Sequence, residues 1–260
     1  MIARVPYNAP VGLPDARPMT YCVALVLDDG LVCASDSRSN AGVDQITVYR
    51  KMNILKPSDD RFFIIMTAGN LATTQQLMHW VHRDLSEKAD TSLASVRYLF
   101  EAAEYIGDLN RRVQEMHEEA LKAAGIDGQA SLIVAGQVRG EVPNAFQVYP
   151  QGNYIRASRG TPYLQIGESK YGKPVLGRVA DRHLSLNDAA RLALVSMDAA
   201  QRSNLSVGPP FELVLYRRDS FEVHQHATFE TETPLFASVR DAWHEELRQA
   251  FTRLPRFDWE

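Results

Sequence analysis

The sequence predicts an α+β protein built as a four-layer αββα sandwich, with two antiparallel sheets face to face and helices outside each. Three observations carry this. The early strand "TYCVALVL" is apolar on both faces, as in a strand covered on two sides, and "RFFIIMTAG" repeats the pattern. The chain then runs strands, two helices, strands, two helices, strands, helix, an order that two sheets with outer helices satisfy. Its 260 residues, 45% hydrophobic, carry no linker-like boundary or short repeat that would split one substantial core.

Taken in order, residues 1–18 contain four prolines and no periodicity of either kind, so they read as a loose extension. Order begins at Met19 or Thr20, giving a division into an extension, 1–19, and a single domain, 20–260. "TYCVALVL" and "LVCASDS" form a hairpin around Asp28-Asp29-Gly30, where glycine supplies the turn geometry. After the strand at 61–69 come a helix over 71–85 and a longer one from Leu93 to Ala124, with Val96, Leu99, Phe100, Ala103, Ile106 and Leu109 at helical spacing. Short strands follow at 130–138, 145–152, 154–158 and 163–167, read as antiparallel meanders. Gly172 to Ala180 is a short helix, and Ser185 to Asp188 caps the next. A hairpin of "FELVLYRR" and "FEVHQHATF" and an amphipathic helix over 235–251 close the chain.

Composition narrows the function. A net charge of -4 with scattered Lys and Arg offers no basic field for nucleic acid. No apolar run approaches the ~20 residues that span a bilayer, and residues 1–18 lack a signal-peptide core, so a cytoplasmic setting is expected. Cys22 and Cys33 lie inside apolar strands as small buried thiols, without the spacing of a disulfide framework or a zinc site. His224 and His226 share one strand face but lack further ligands, and read as a solvated edge rather than a metal pair. His79 and His82, beside Trp80, read as partly buried packing residues. Arg111-Arg112 and "HEE" at 117–119 read as a solvated helix face.

Thr20 raises a chemical question. If Met19 initiates translation, its removal leaves Thr20 as the N-terminus, with a hydroxyl and a free α-amine on one residue. An ordinary threonine hydroxyl is inert near pH 7, whereas an α-amine titrates near ~8 and can take its proton. Met19 fits poorly as the residue before a self-cleavage point, where glycine permits the tight bend, and fits well as an initiator. Asp36 ends the second strand, on the side that the hairpin returns towards Thr20, and Lys51 precedes an apolar run. A buried Asp36/Lys51 pair would let the ammonium lower the hydroxyl pKa while the carboxylate orients it. Gly69 stands at a strand-to-helix junction, where a backbone N–H can meet a developing oxyanion.

With these residues in place, the pieces "MTYCVALVLDDGLVCASDSRSNAGVD", "RKMNIL", "TAGNLATTQ", "TPYLQIGESKYGKPVL" and "ALVSMDAAQRSNLSVGPPFELVLY" resemble the ancestral-β-subunit (Anbu) homologues of the proteasome β subunit. The resemblance implies an N-terminal-nucleophile hydrolase fold, a threonine-peptidase site needing no cofactor or metal, and self-assembly into a ring or open helical turn. It places Thr20 as nucleophile, Asp36 as orienting carboxylate and Lys51 as the active-site lysine, with Arg50 the alternative across a one-residue gap. It makes Gly69 the oxyanion glycine and Ser169 and Ser206 supporting serines. Ser203 stands where proteasome β subunits carry an aspartate, which removes a charged partner near the terminal amine and implies weak or narrow peptidase activity. The implied substrate is a peptide or unfolded protein. The same nucleophile would also serve a small-amide hydrolase, and a largely non-catalytic assembly protein of this fold is the third reading.

Overall fold

The computed structural model describes residues 20–40 and 46–259, with the side chains of residues 39, 40 and 46–48 excepted. The extension expected over 1–19 and the stretch 41–45 lie outside the described residues. Strands β1 (Tyr21–Leu27) and β2 (Gly30–Asp36) form the expected hairpin, and the short β3 (Arg38–Asn40) and β4 (Ile46–Val48) pair with each other. Next come β5 (Met52–Ser58), β6 (Arg61–Gly69), α1 (Leu71–Ser86) and α2 (Leu99–Ala123). The second half holds β7 (Ala130–Val138), β8 (Asn144–Val148), β9 (Tyr154–Arg156), β10 (Tyr163–Gly167), α3 (Lys173–Val179) and α4 (Leu186–Ser203). It ends with β11 (Phe211–Arg217), β12 (Val223–Phe229) and α5 (Pro234–Thr252).

Two five-stranded antiparallel sheets result, ordered β10-β1-β2-β11-β12 and β5-β6-β7-β8-β9. The alternation of side chains along β1 shows why both of its faces had to be apolar. Tyr21, Val23, Leu25 and Leu27 pack under α3 and α4 with Leu176, Leu192 and Met197, while Cys22 and Ala24 face Met66, Ile133 and Ile166 between the sheets. A third cluster joins the outer face of β6 and β7 to α1 and α2 through Phe63, Ile65, Leu77, Val81, Ile106 and Leu132. These three apolar layers, separated by two sheets, are the αββα sandwich. Across the middle layer Phe62 and Tyr216 stack with centroids 4.8 Å apart, worth about 1 kcal/mol beyond the area buried.

Three expectations are corrected. Residues 93–98 are not helical: Leu93 and Val96 are buried in the outer cluster, but their carbonyl neighbourhood is claimed from outside, Arg61 donating to the Ala94 and Val96 oxygens. Ser95 Oγ accepts the Ser92 N–H and donates to the Ser92 oxygen, and Glu101 Oε2 accepts the Tyr98 N–H at the start of α2. β10 does not continue the meander of β7, β8 and β9; it crosses over and pairs with β1, Tyr21 opposite Gly167. His79 and His82 are exposed rather than packed, and the half-buried Trp80 lies under the guanidinium groups of Arg83 and Arg112. The terminal helix buries only Phe236 fully. No helix among the described residues is long and apolar enough to cross a membrane.

Candidate active site

Thr20 precedes β1 and is half-buried at the end of the first sheet. The hairpin register, Cys22 opposite Ser35, carries Asp36 to the start of β1, where the Tyr21 N–H donates to Asp36 Oδ1 at 3.0 Å. Lys51 comes from the other sheet, one residue before β5, and is only 4% exposed. Its ammonium donates to Asp36 Oδ1 at 2.7 Å and to the Arg38 carbonyl oxygen at 2.5 Å. Asp36 Oδ2 accepts a longer bond, 3.4 Å, from the Gly208 N–H. Burial pushes the Asp36 carboxyl up from its ordinary value, against the opposing pull of the Lys51 ammonium and the Tyr21 and Gly208 N–H groups. Arg50 is different: its mostly exposed side chain approaches Glu212 Oε1 at 3.5 Å, so the cation set on Asp36 belongs to Lys51.

Gly69 ends β6 with φ +107, and a side chain there would run into the Gln129 carbonyl oxygen. The Thr67 N–H donates to the Lys51 oxygen at 3.0 Å. Alternate residues of a strand send their N–H groups the same way, so the Gly69 N–H points to that side too, past the point where β5 begins. The junction is held by Asn70, whose N–H and Nδ2 donate to the Gln129 and Asp127 oxygens while its Oδ1 caps α1 through the Thr73 N–H.

The three serines that the resemblance names lie after β10 and at or after the end of α4. Ser169 and Ser203 are exposed, and Ser206 is half-buried with its N–H on Asn204 Oδ1 at 2.9 Å. The buried polar group in these loops is Glu168, which the sequence reading passed over. Its N–H donates to the Thr20 oxygen at 2.6 Å, its Oε1 accepts the Lys170 N–H and its Oε2 accepts from Asn204 Nδ2, both at 2.8 Å. The available signal was a charged residue directly after a strand that ends in glycine, "YLQIGE". Gly167, at φ +79, leaves room for the Thr20 carbonyl where a Cβ would clash. Arg38 was also missed beyond its place in the motif; besides its carbonyl on Lys51, its Nη1 donates to the Leu205 oxygen at 2.8 Å and ties the two loops.

Elsewhere, Cys22 and Cys33 are buried free thiols, and burial pushes that of Cys33 up to about 12. His226 has an acidic neighbour that the sequence did not reveal, Glu212 on the adjacent strand, with Nε2 to Oε1 at 2.7 Å, while His224 meets Arg217. Among the described residues no group of three or more His, Cys, Asp or Glu side chains is placed to hold a metal.

Comparison with known proteins agrees with this fold. The proteasome-subunit family profile matches residues 20–215. The proteasome subunit beta of Haloquadratum walsbyi is 25% identical over 229 residues, 85% of this chain and 82% of that protein. Among solved structures, Anbu (ancestral beta-subunit) from Yersinia bercovieri is 41% identical over 92% of this chain and 99% of its own, with a TM-score of 0.85. The structure described as the helical assembly of the Anbu complex from Pseudomonas aeruginosa is 40% identical over 92% and 98%, with a TM-score of 0.86. From the matched profile, the shared fold and this level of identity, the chain belongs to the proteasome subunit family, among its Anbu relatives.

Proposed function

We propose that this chain is an N-terminal threonine peptidase acting within an assembly of its own copies. The observation that carries the reading is the Lys51 ammonium, buried between Asp36 Oδ1 and the Arg38 carbonyl beside the residue that starts β1. A point positive charge there favours an alkoxide on Thr20, and Asp36 offsets the cost of burying it.

In this mechanism the free α-amine of Thr20 takes the hydroxyl proton and Oγ attacks the peptide carbonyl. The Gly69 N–H donates to the oxyanion as the carbon becomes tetrahedral. The amine then passes its proton to the leaving nitrogen, the C–N bond breaks, and an ester on Thr20 remains for water to hydrolyse. The chemistry needs no cofactor. It does need Thr20 at a free N-terminus, so the reading requires that residues 1–19 be absent from the active chain. The exposed loop serines and Ser203 in place of a family aspartate fit low turnover. Self-assembly is proposed by analogy with the helical assembly described for the Pseudomonas aeruginosa relative.

The test compares chains beginning at Met1 and at Thr20 on fluorogenic peptides, casein and small acyl amides. Peptide or casein hydrolysis by the second chain alone is expected. Hydrolysis confined to small amides, or equal rates from both chains, would overturn the peptidase reading.

A further inference from the structure

We propose that Glu168 is a positioning residue for the α-amine of Thr20, supplying the negative charge that Ser203 does not. The inference rests on the threonine-hydrolase reading and concerns how that site sets its own base.

Glu168 is 2% exposed, and a carboxylate is seldom so buried without partners that use its charge. The bond from its N–H to the Thr20 oxygen extends the β1–β10 register by one step, from Tyr21 opposite Gly167 to Thr20 opposite Glu168. Paired residues of antiparallel strands have Cα atoms about 5 Å apart, which puts the amine of Thr20 within reach of a glutamate side chain. Further along the same segment, Gly172 is anchored to β1 and α4: its oxygen accepts from Ser196 Oγ at 3.1 Å, and that hydroxyl shares a 2.7 Å bond with Tyr21 Oη.

The carboxylate is oriented but not saturated. Lys170 N–H and Asn204 Nδ2 take one position on each oxygen, and the Ser206 N–H fixes the Asn204 amide with its NH2 towards Glu168. An ionised carboxylate offers about four acceptor positions, so capacity for an ammonium remains. The other charged groups near the start of β1 include Asp36, Lys51, Arg38, Lys170 and Glu212. Asp36 is already engaged by Tyr21, Lys51 and Gly208, and Glu212, two strands from β1, by His226 and Arg50, while Arg38 and Lys170 carry the wrong charge to hold an ammonium. Glu168 is the anion on the strand directly paired with Thr20. Beside it the amine holds its proton to higher pH, and the fraction of free base at neutral pH falls.

The experiment uses the chain beginning at Thr20 with 13C,15N-threonine, following the Thr20 resonances through a pH titration. Replacing Glu168 by Gln should lower the midpoint of the amine titration by about one pH unit, while Glu168→Asp keeps most of the wild-type value. Equal midpoints in wild type and Glu168→Gln would overturn the proposal, as would a full drop in Glu168→Asp. Should the Gln variant not fold, a crystal structure of the wild-type chain beginning at Thr20 decides: a carboxylate within about 4 Å of the amine is expected, and one beyond about 7 Å overturns the proposal. Neither readout depends on turnover. An inert protein with a shifted amine would count against the peptidase reading and leave this one standing.

Discussion

Lys51 Nζ and Asp36 Oδ1 stand 2.7 Å apart across the gap between the two sheets, each with 5% or less of its side chain exposed. Such a pair is costly to break and cheap to remove whole. Asp36→Asn leaves a buried ammonium without its counter-charge and should cost about 3 to 5 kcal/mol of stability, whereas Asp36→Asn with Lys51→Met should come within about 1 kcal/mol of wild type. Denaturant melts of the three proteins check this.

Lys51→Arg keeps the charge but replaces a point ammonium with a wide planar fork. The site holds the ammonium between two oxygens at 2.5 and 2.7 Å, on a group only 4% exposed, which suits a point charge rather than a planar fork. Steady-state kinetics on the best peptide should show kcat down by at least about 100-fold with KM little changed, since the group acts on the nucleophile rather than on binding. Retention of wild-type kcat would return Arg50 to consideration.

Gly69→Ala should damage folding and chemistry together. The residue sits at φ +107 with the Gln129 carbonyl where a Cβ would go, so the substitution should cost at least about 2 kcal/mol and rotate the N–H assigned to the oxyanion. The prediction is a lowered melting temperature and a loss of kcat in whatever protein folds. An unaltered melting curve would mean that the turn is looser than described.

The sandwich was legible because burial on both faces leaves an unbroken apolar run, as in β1 and β6, and because a pair of helices follows each of the first two sets of strands. What escaped was pairing at a distance. Nothing in "YLQIG" tells that β10 leaves its sequence neighbours for β1, because the crossover is decided by which edge has a free ladder. The stretch at 93–98 misled for a related reason: Leu93 and Val96 keep helical spacing with α2, but Arg61, more than thirty residues away, claims the carbonyls of Ala94 and Val96. At the site, Thr20, Asp36 and Lys51 stood out as hydroxyl or charge in apolar company. Glu168 did not, since beside Ser169 and Lys170 it looks like part of a polar loop until its N–H is found on the Thr20 carbonyl. The loop serines drew attention by motif, yet the buried hydrogen bonds run through Glu168 and Asn204 instead.

The central claim is that Thr20 is the nucleophile, with its own amine as base. A peptide epoxyketone reads both at once, because the hydroxyl adds to the ketone and the amine opens the epoxide to close a ring, which only an N-terminal Ser, Thr or Cys can do. The chain beginning at Thr20 should gain one inhibitor mass, mapped by tandem mass spectrometry to Thr20, and Thr20→Ala and the chain beginning at Met1 should gain none. Absence of the adduct on the first chain, or an adduct of the same mass on Thr20→Ala, would contradict it.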